Sequence, residues 1–103
     1  MPIEWPWKRW ARERREGEEY LRWLNGQQRA IEAGEEIKPP WVIWPGEEPW
    51  WGGWSQGDAE PWLLDVWLPF WSKLGRGEKL AYLEKWSASP DWRHYALYLW
   101  DQP

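Results

Sequence analysis

The stretch Pro61-Trp62-Leu63-Leu64-Asp65-Val66-Trp67-Leu68-Pro69-Phe70-Trp71 decides the fold. Its apolar residues run at helical spacing rather than in strict alternation, and Pro61 suits a first helical turn, where its missing N–H costs nothing. Asp58 or Ser55 is the candidate start. Pro69 is expected to kink or end the helix, because its ring clashes with the carbonyl four residues back. Phe70, Trp71 and Leu74 then carry the apolar face on to Gly75.

Toward the C-terminus, residues 78–86 read as a short amphipathic helix with Leu80, Leu83 and Trp86 inward. Ser89-Pro90-Asp91 is a start signal, with Ser as N-cap and Pro at the first helical position. Trp92, Tyr95, Ala96, Leu99 and Trp100 follow at helical spacing. Trp62, Trp67, Trp71, Trp92 and Trp100 are therefore expected in the core. Toward the N-terminus, Pro6 can open a helix and no further Pro interrupts residues 7–33. Tyr20, Leu21, Leu24 and Ile31 fall on one stripe, with Trp23 and Ala30 beside it. Gly17 and Gly26 weaken this helix by up to about 1 kcal/mol each, so a kink or break near Gly17 is expected. Gly34 is its natural stop.

Between these parts the sequence stops looking helical. Pro39, Pro40, Pro45, Pro49 and Pro61 alternate with Gly46, Gly52, Gly53 and Gly57, which keeps regular structure short. Trp41-Val42-Ile43-Trp44 reads as a brief strand or an extended edge. Five Trp in this segment favour order, because so much aromatic surface left in water invites aggregation. The expected fold is mainly α, with about four helices packed around an aromatic core and one long irregular Trp/Pro/Gly-rich loop. At 103 residues, one domain over 1–103 is expected. It comprises a helical N-terminal part at 6–34, the loop at 35–61 and a helical C-terminal part at 62–103.

Fifteen Trp stand against one Phe, four Tyr and no Cys. A folded chain of this mass exposes roughly 6,000 Å² and removes roughly 12,000 Å² from solvent. Fifteen indoles of about 200 Å² each fit that area. The indole N–H is the tighter limit, since each buried donor without an acceptor costs about 1–3 kcal/mol. Some rings are therefore expected with an edge at the surface.

Composition also excludes functions. Without Cys there is no disulfide, thiol nucleophile or thiolate metal site. With His94 alone, no multi-histidine metal site forms within one chain, and no cofactor is expected. No apolar run approaches the roughly 20 residues that span a bilayer, and residues 1–10 lack the apolar core of a signal peptide, so a soluble cytoplasmic protein is expected. With 43% hydrophobic and 29% charged residues, the chain falls among those that fold. No phosphate-cradling Gly loop or nucleophile elbow is present. Ser55, Ser72, Ser87 and Ser89 are the only Ser, and Asp91 three residues before His94 is explained by local charge pairing. Glu47-Glu48 and Asp58 with Glu60 offer carboxylate pairs, but glycoside hydrolysis needs them about 5–10 Å apart across a cleft. The expectation is a non-enzymatic protein.

Charge is unevenly placed. Residues 1–30 carry seven Lys/Arg and five Glu, residues 31–60 one Lys and seven acids, and the formal net charge is −4. An acidic total argues against general nucleic-acid binding. The local exception is Trp7, Lys8, Arg9, Arg12 and Arg15, with Arg14, Trp5 and Trp10, a basic and aromatic mixture able to hold phosphates and stack bases. The plainer reading is a solvated helix in which Glu13 and Glu16 pair with Arg9 and Arg12. Anionic lipid would be repelled by Glu35, Glu36, Glu47, Glu48, Asp58 and Glu60 in the Trp-rich middle.

Binding to another protein is the function that remains. Trp is the strongest hot-spot residue, and an acidic rim around aromatic anchors suits a basic partner. The expected binding residues are Trp41, Trp44, Glu47, Glu48, Trp50, Trp51 and Trp54, in a small binding or inhibitory protein of phage or mobile-element type. Two other functions compete: a structural or virion accessory subunit that self-associates through its Trp surface, and a carbohydrate- or aromatic-ligand module. Arg, Gly, Pro, Ala and Trp dominate, as in a GC-rich coding sequence. A designed chain is the competing origin, but Gly17 and Gly26 in a helix and the long loop depart from idealised elements.

Overall fold

A computed structural model describes the backbone of residues 6–100 and the side chains of residues 17–100. Helix α1 spans Pro6–Glu32 without interruption. The expected break at Gly17 does not occur, and neither Gly17 nor Gly26 has an atom within 4 Å of where a Cβ would stand. Both glycines are open helix positions whose propensity cost the rest of the helix absorbs. Gly34 ends α1 in the left-handed conformation at φ +77°. Its N–H reaches the Ile31 carbonyl and that of Glu35 reaches Ala30, at 3.0 and 2.9 Å, which is the Schellman closure. Leu24 is buried, and Tyr20, Trp23, Ala30 and Ile31 pack against the core. Leu21, expected on this stripe, is instead 57% exposed. It lies about 100° around the helix from Tyr20, beyond the inward row.

The middle of the chain is shorter on irregular structure than its Pro and Gly content implies. Helix α2, Pro40–Ile43, occupies the stretch expected as a strand. Pro40 sits in the first turn with φ already set for helix. The N–H groups of Val42 and Ile43 reach the Pro39 carbonyl, and that of Trp44 reaches Pro40. The β-branched pair is overridden by this Pro-initiated turn. Helix α3 spans Gly53–Gln56.

Helix α4 runs continuously over 59–72, through the segments Ala59–Trp62, Leu63–Trp67 and Leu68–Ser72. Pro69 neither ends nor breaks it. Immediately upstream, Leu63–Trp67 forms a π turn in which the Leu68 N–H reaches back five residues to the Leu63 carbonyl. The widened turn takes up an extra residue just before the position where the proline ring would crowd an α-helical carbonyl.

Helix α5 is Arg76–Lys85, with the Glu78 carboxylate accepting from the Gly75 N–H at 3.0 Å. Its buried residues are Tyr82 and Leu83, whereas Leu80, expected inward, is 41% exposed. Helix α6 covers 90–99 as Pro90–His94 and Tyr95–Leu99. Ser89 caps it as expected, its hydroxyl accepting from the Trp92 N–H at 3.2 Å. The second segment is again a π turn, in which the Trp100 N–H reaches Tyr95 at 2.7 Å. That shift moves Trp100 inward and leaves Leu99 exposed.

The described residues thus form a mainly helical fold without strands, whose four longer helices, α1, α4, α5 and α6, surround an aromatic core. Trp62, Trp67, Trp71 and Trp92 are all buried. α1 lies along α4, with the Tyr20 hydroxyl donating to the Asp58 carbonyl and Trp62 Nε1 donating to Gln27 Oε1. No described helix is long and apolar enough to cross a membrane. The radius of gyration is 16.4 Å and the extents are 54 × 29 × 24 Å, against about 13 Å for a compact chain of this length. The 27 residues of α1, about 40 Å of helix, account for the elongation.

Tyr82 is the polar centre of the core. Its hydroxyl accepts from Trp67 Nε1 at 3.2 Å and donates to the Ile37 carbonyl at 2.6 Å. Burial pushes the phenol well above its ordinary value of 10.0. The unfolded chain ionises near 10 while the folded chain holds the proton. This contribution to stability is therefore fully present below pH 10 and is lost as pH climbs toward the raised value. Tyr82→Phe should cost about 2–4 kcal/mol at neutral pH, by stranding a donor and an acceptor. It should also flatten the decline in stability above pH 10, read by urea unfolding across that range. Trp86 Nε1 is buried without a partner, so Trp86→Phe should cost less than Trp67→Phe by about 1 kcal/mol or more in the same assay.

Candidate docking surface

The five Trp of the central segment occupy distinct environments. Trp54 is buried at 5% exposure, with its Nε1–H donated to the Glu48 carbonyl at 2.8 Å and its ring against Trp44, Trp51, Trp92 and Trp100. It belongs to the core rather than to an exposed surface. Trp44 is half-buried and packs on Trp23 and Trp62. Trp41 is half-buried, donates to the Trp86 carbonyl at 2.7 Å and leans on Trp92 with centroids 5.3 Å apart. Trp51, also half-buried, lies over Gly53 so closely that a Cβ there would collide with its ring. Trp50 alone of the five is mostly exposed, at 57%.

The loop carrying Trp50 is shaped by local signals. Gly46 takes a φ of +86°, a conformation that favours glycine. The N–H groups of Glu47 and Trp51 then close turns onto the Trp44 and Glu48 carbonyls. Between this loop and the start of α6 lies a cleft of about 340 Å³. Trp41 and Trp92 supply its aromatic lining, Glu47, Glu48 and Asp91 its carboxylates, and Ser87 and Ser89 its hydroxyls. Among the described residues, no hydrogen bond or ion pair engages these three carboxylates. No three acidic or histidine side chains among those residues converge as a metal site.

Beyond the cleft the aromatic surface continues along α6. The Trp50 ring lies 6.1 Å from Tyr95, and His94 lies 6.2 Å from Tyr95 and 5.5 Å from Tyr98. Asp91, His94, Tyr95 and Tyr98 were not among the expected binding residues. Their spacing of i, i+3, i+4 and i+7 places them on one side of a helix, but only the tertiary fold brings Trp50 beside them. The basic and aromatic group Trp7, Lys8, Arg9, Arg12 and Arg15 falls on the backbone of α1, and its side chains lie outside the described residues.

A second cavity, of about 360 Å³, lies between the end of α1, α4 and α5 and is lined by Phe70, Leu74, Ala81 and Tyr82. Of its charged lining residues, all but Glu35 are committed. Lys85 pairs with Glu36 at 2.6 Å, and Glu78 caps α5. The cleft beside Trp50 gathers three carboxylates that no described residue engages, next to two indole rings.

Ser87 lines this cleft with a φ of 52°. It holds the left-handed position of a second Schellman closure, in which the Ser87 N–H reaches Glu84 and the Ala88 N–H reaches Leu83. At the corresponding position of α1 the chain uses Gly34. No family model matches the sequence, and no similar curated protein or solved structure is found. Replacing Ser87 by Gly should raise stability by about 1 kcal/mol, because a side chain in the left-handed region costs about that much. The measurement is the urea midpoint, and a lowered midpoint would show that the serine side chain contributes to the fold.

Proposed function

We propose that the protein is a non-enzymatic binding module whose Trp50 surface takes a basic segment of a partner protein. The observation that carries this reading is an exposed indole beside a cleft whose three carboxylates have no partner within the described chain. A guanidinium entering the cleft can pair with Glu47, Glu48 or Asp91 while its plane rests on Trp41 or Trp92. Trp50, next in the chain to the lining residue Pro49, and Tyr95 against it then supply apolar contact, the arrangement of a hot spot with a charged rim. An inhibitory action follows from the same contact, by steric occupation of the partner's basic surface.

The test is a fluorescence titration with a labelled arginine-rich peptide and an acidic peptide of equal length. The arginine-rich peptide should bind, more weakly as salt rises, and the acidic peptide should not. Trp50→Ala should weaken binding by about thirtyfold, the loss expected of a hot-spot residue, while moving the melting midpoint by only a few degrees because the ring is mostly exposed. Equal binding of both peptides, or an unchanged affinity for Trp50→Ala, would contradict the reading.

A further inference from the structure

We infer that the basic segment fitting the acidic cleft is supplied by a second copy of this chain, through the start of α1, so that the molecules associate head to tail. The inference rests on the proposed binding of basic segments at the Trp50 surface and names the partner.

The charge division is the first support. Residues 1–16 contain Lys8, Arg9, Arg12, Arg14 and Arg15 against Glu4, Glu13 and Glu16, whereas the segment that forms the loop side of the cleft carries a single Lys, Lys38, across residues 31–60. Lys8, Arg12 and Arg15 recur at i, i+4 and i+7, a register that forms one stripe along a helix. The aromatic neighbours Trp7 and Trp10 add the residue types that anchor interfaces.

The second support is geometric. α1 is one unbroken helix from Pro6 to Glu32, with Gly17 inside it. Among its described side chains, Tyr20, Trp23 and Gln27 engage α4 and the segment before it, through Asp58 and Trp62. From Tyr20 back to Pro6 the helix runs about 21 Å, and the molecule is elongated to 54 Å along one axis. The unbroken helix carries Pro6 that distance from the contact at Tyr20. The cleft of another molecule is open to it. Such a contact joins two different surfaces, so it generates open chains or closed rings rather than a two-fold dimer.

Sedimentation velocity of the full chain over a wide micromolar range tests the inference. The native protein should shift to larger species with concentration, and more salt should reverse the shift. Two reversed variants divide the contact: Lys8→Glu with Arg9→Glu and Arg12→Glu, and Glu47→Lys with Glu48→Lys and Asp91→Lys. Each alone should weaken association about a hundredfold or more, since like charges then face each other. Mixed in equal amounts, they should associate again, because each end then meets a cleft of opposite sign. Helical circular dichroism confirms that both variants fold. If either fails to fold, the single changes Arg12→Glu and Asp91→Lys replace the sets, with about a tenfold loss each expected. A native protein that stays monomeric, or reversed variants that associate as the native chain does, would overturn the inference. A monomer that still binds the arginine-rich peptide overturns the self-association alone, whereas failure of both measurements removes the binding reading as well.

Discussion

The Tyr82 hydroxyl joins three parts of the molecule that share no backbone hydrogen bonds. It takes the Trp67 N–H from α4, gives its own proton to the Ile37 carbonyl in the segment after α1, and stands on α5. It answers the general difficulty of an indole core, in which every buried ring brings one donor that must find an oxygen. The other acceptors follow a pattern. Trp71 donates to Ala96 in the last turn of α6, Trp41 to Trp86 at the end of α5, and Trp54 to Glu48 in a loop. Carbonyls in the last turn of a helix lack intrahelical partners. A chain of several short helices therefore offers many such oxygens, and the indoles take them up. The number of Trp and the shortness of the helices are in this sense one property.

The same constraint explains where sequence and structure agree and part. Trp62, Trp67, Trp71 and Trp92 were legible as core because their spacing and size leave few other places for them. Ser89-Pro90 and Gly34 were legible because their local chemistry permits little else. Leu21, Leu80 and Leu99 were expected inward and face out. A period of 3.6 assumes an unbroken α register and gives all apolar residues equal claim. In α6 the π turn at Tyr95–Leu99 shifts the register and turns Leu99 out, while in α1 and α5 the inward positions go to Tyr20, Trp23 and Leu24 and to Tyr82 and Leu83. The helical turn at Pro40–Ile43 was hidden by the strand preference of Val42 and Ile43, which yielded to a Pro-set first turn and to the anchoring of Trp41.

The candidate surface was half legible. Pro and Gly around a cluster of Trp pointed to the segment, and Glu47 and Glu48 to its charge. Which ring stays outside was not readable, since Trp50 and Trp54 look alike in sequence and differ only in whether the fold supplies an acceptor and a cage of neighbours. Asp91, Tyr95 and Tyr98 lie 41 to 48 residues beyond Trp50 along the chain and needed the fold to join them. The resulting surface carries three features that folding alone does not call for: an exposed indole, carboxylates without partners, and a serine in the left-handed region.

The most direct test of this account is hydrogen exchange at the indole N–H groups, resolved by nuclear magnetic resonance. The Trp67 and Trp71 donors, buried and bonded to Tyr82 and Ala96, should exchange only through global unfolding, and the Trp50 donor should exchange with the solvent rapidly. Exchange of Trp67 and Trp71 as fast as that of Trp50 would contradict the claim that satisfied indoles hold the core.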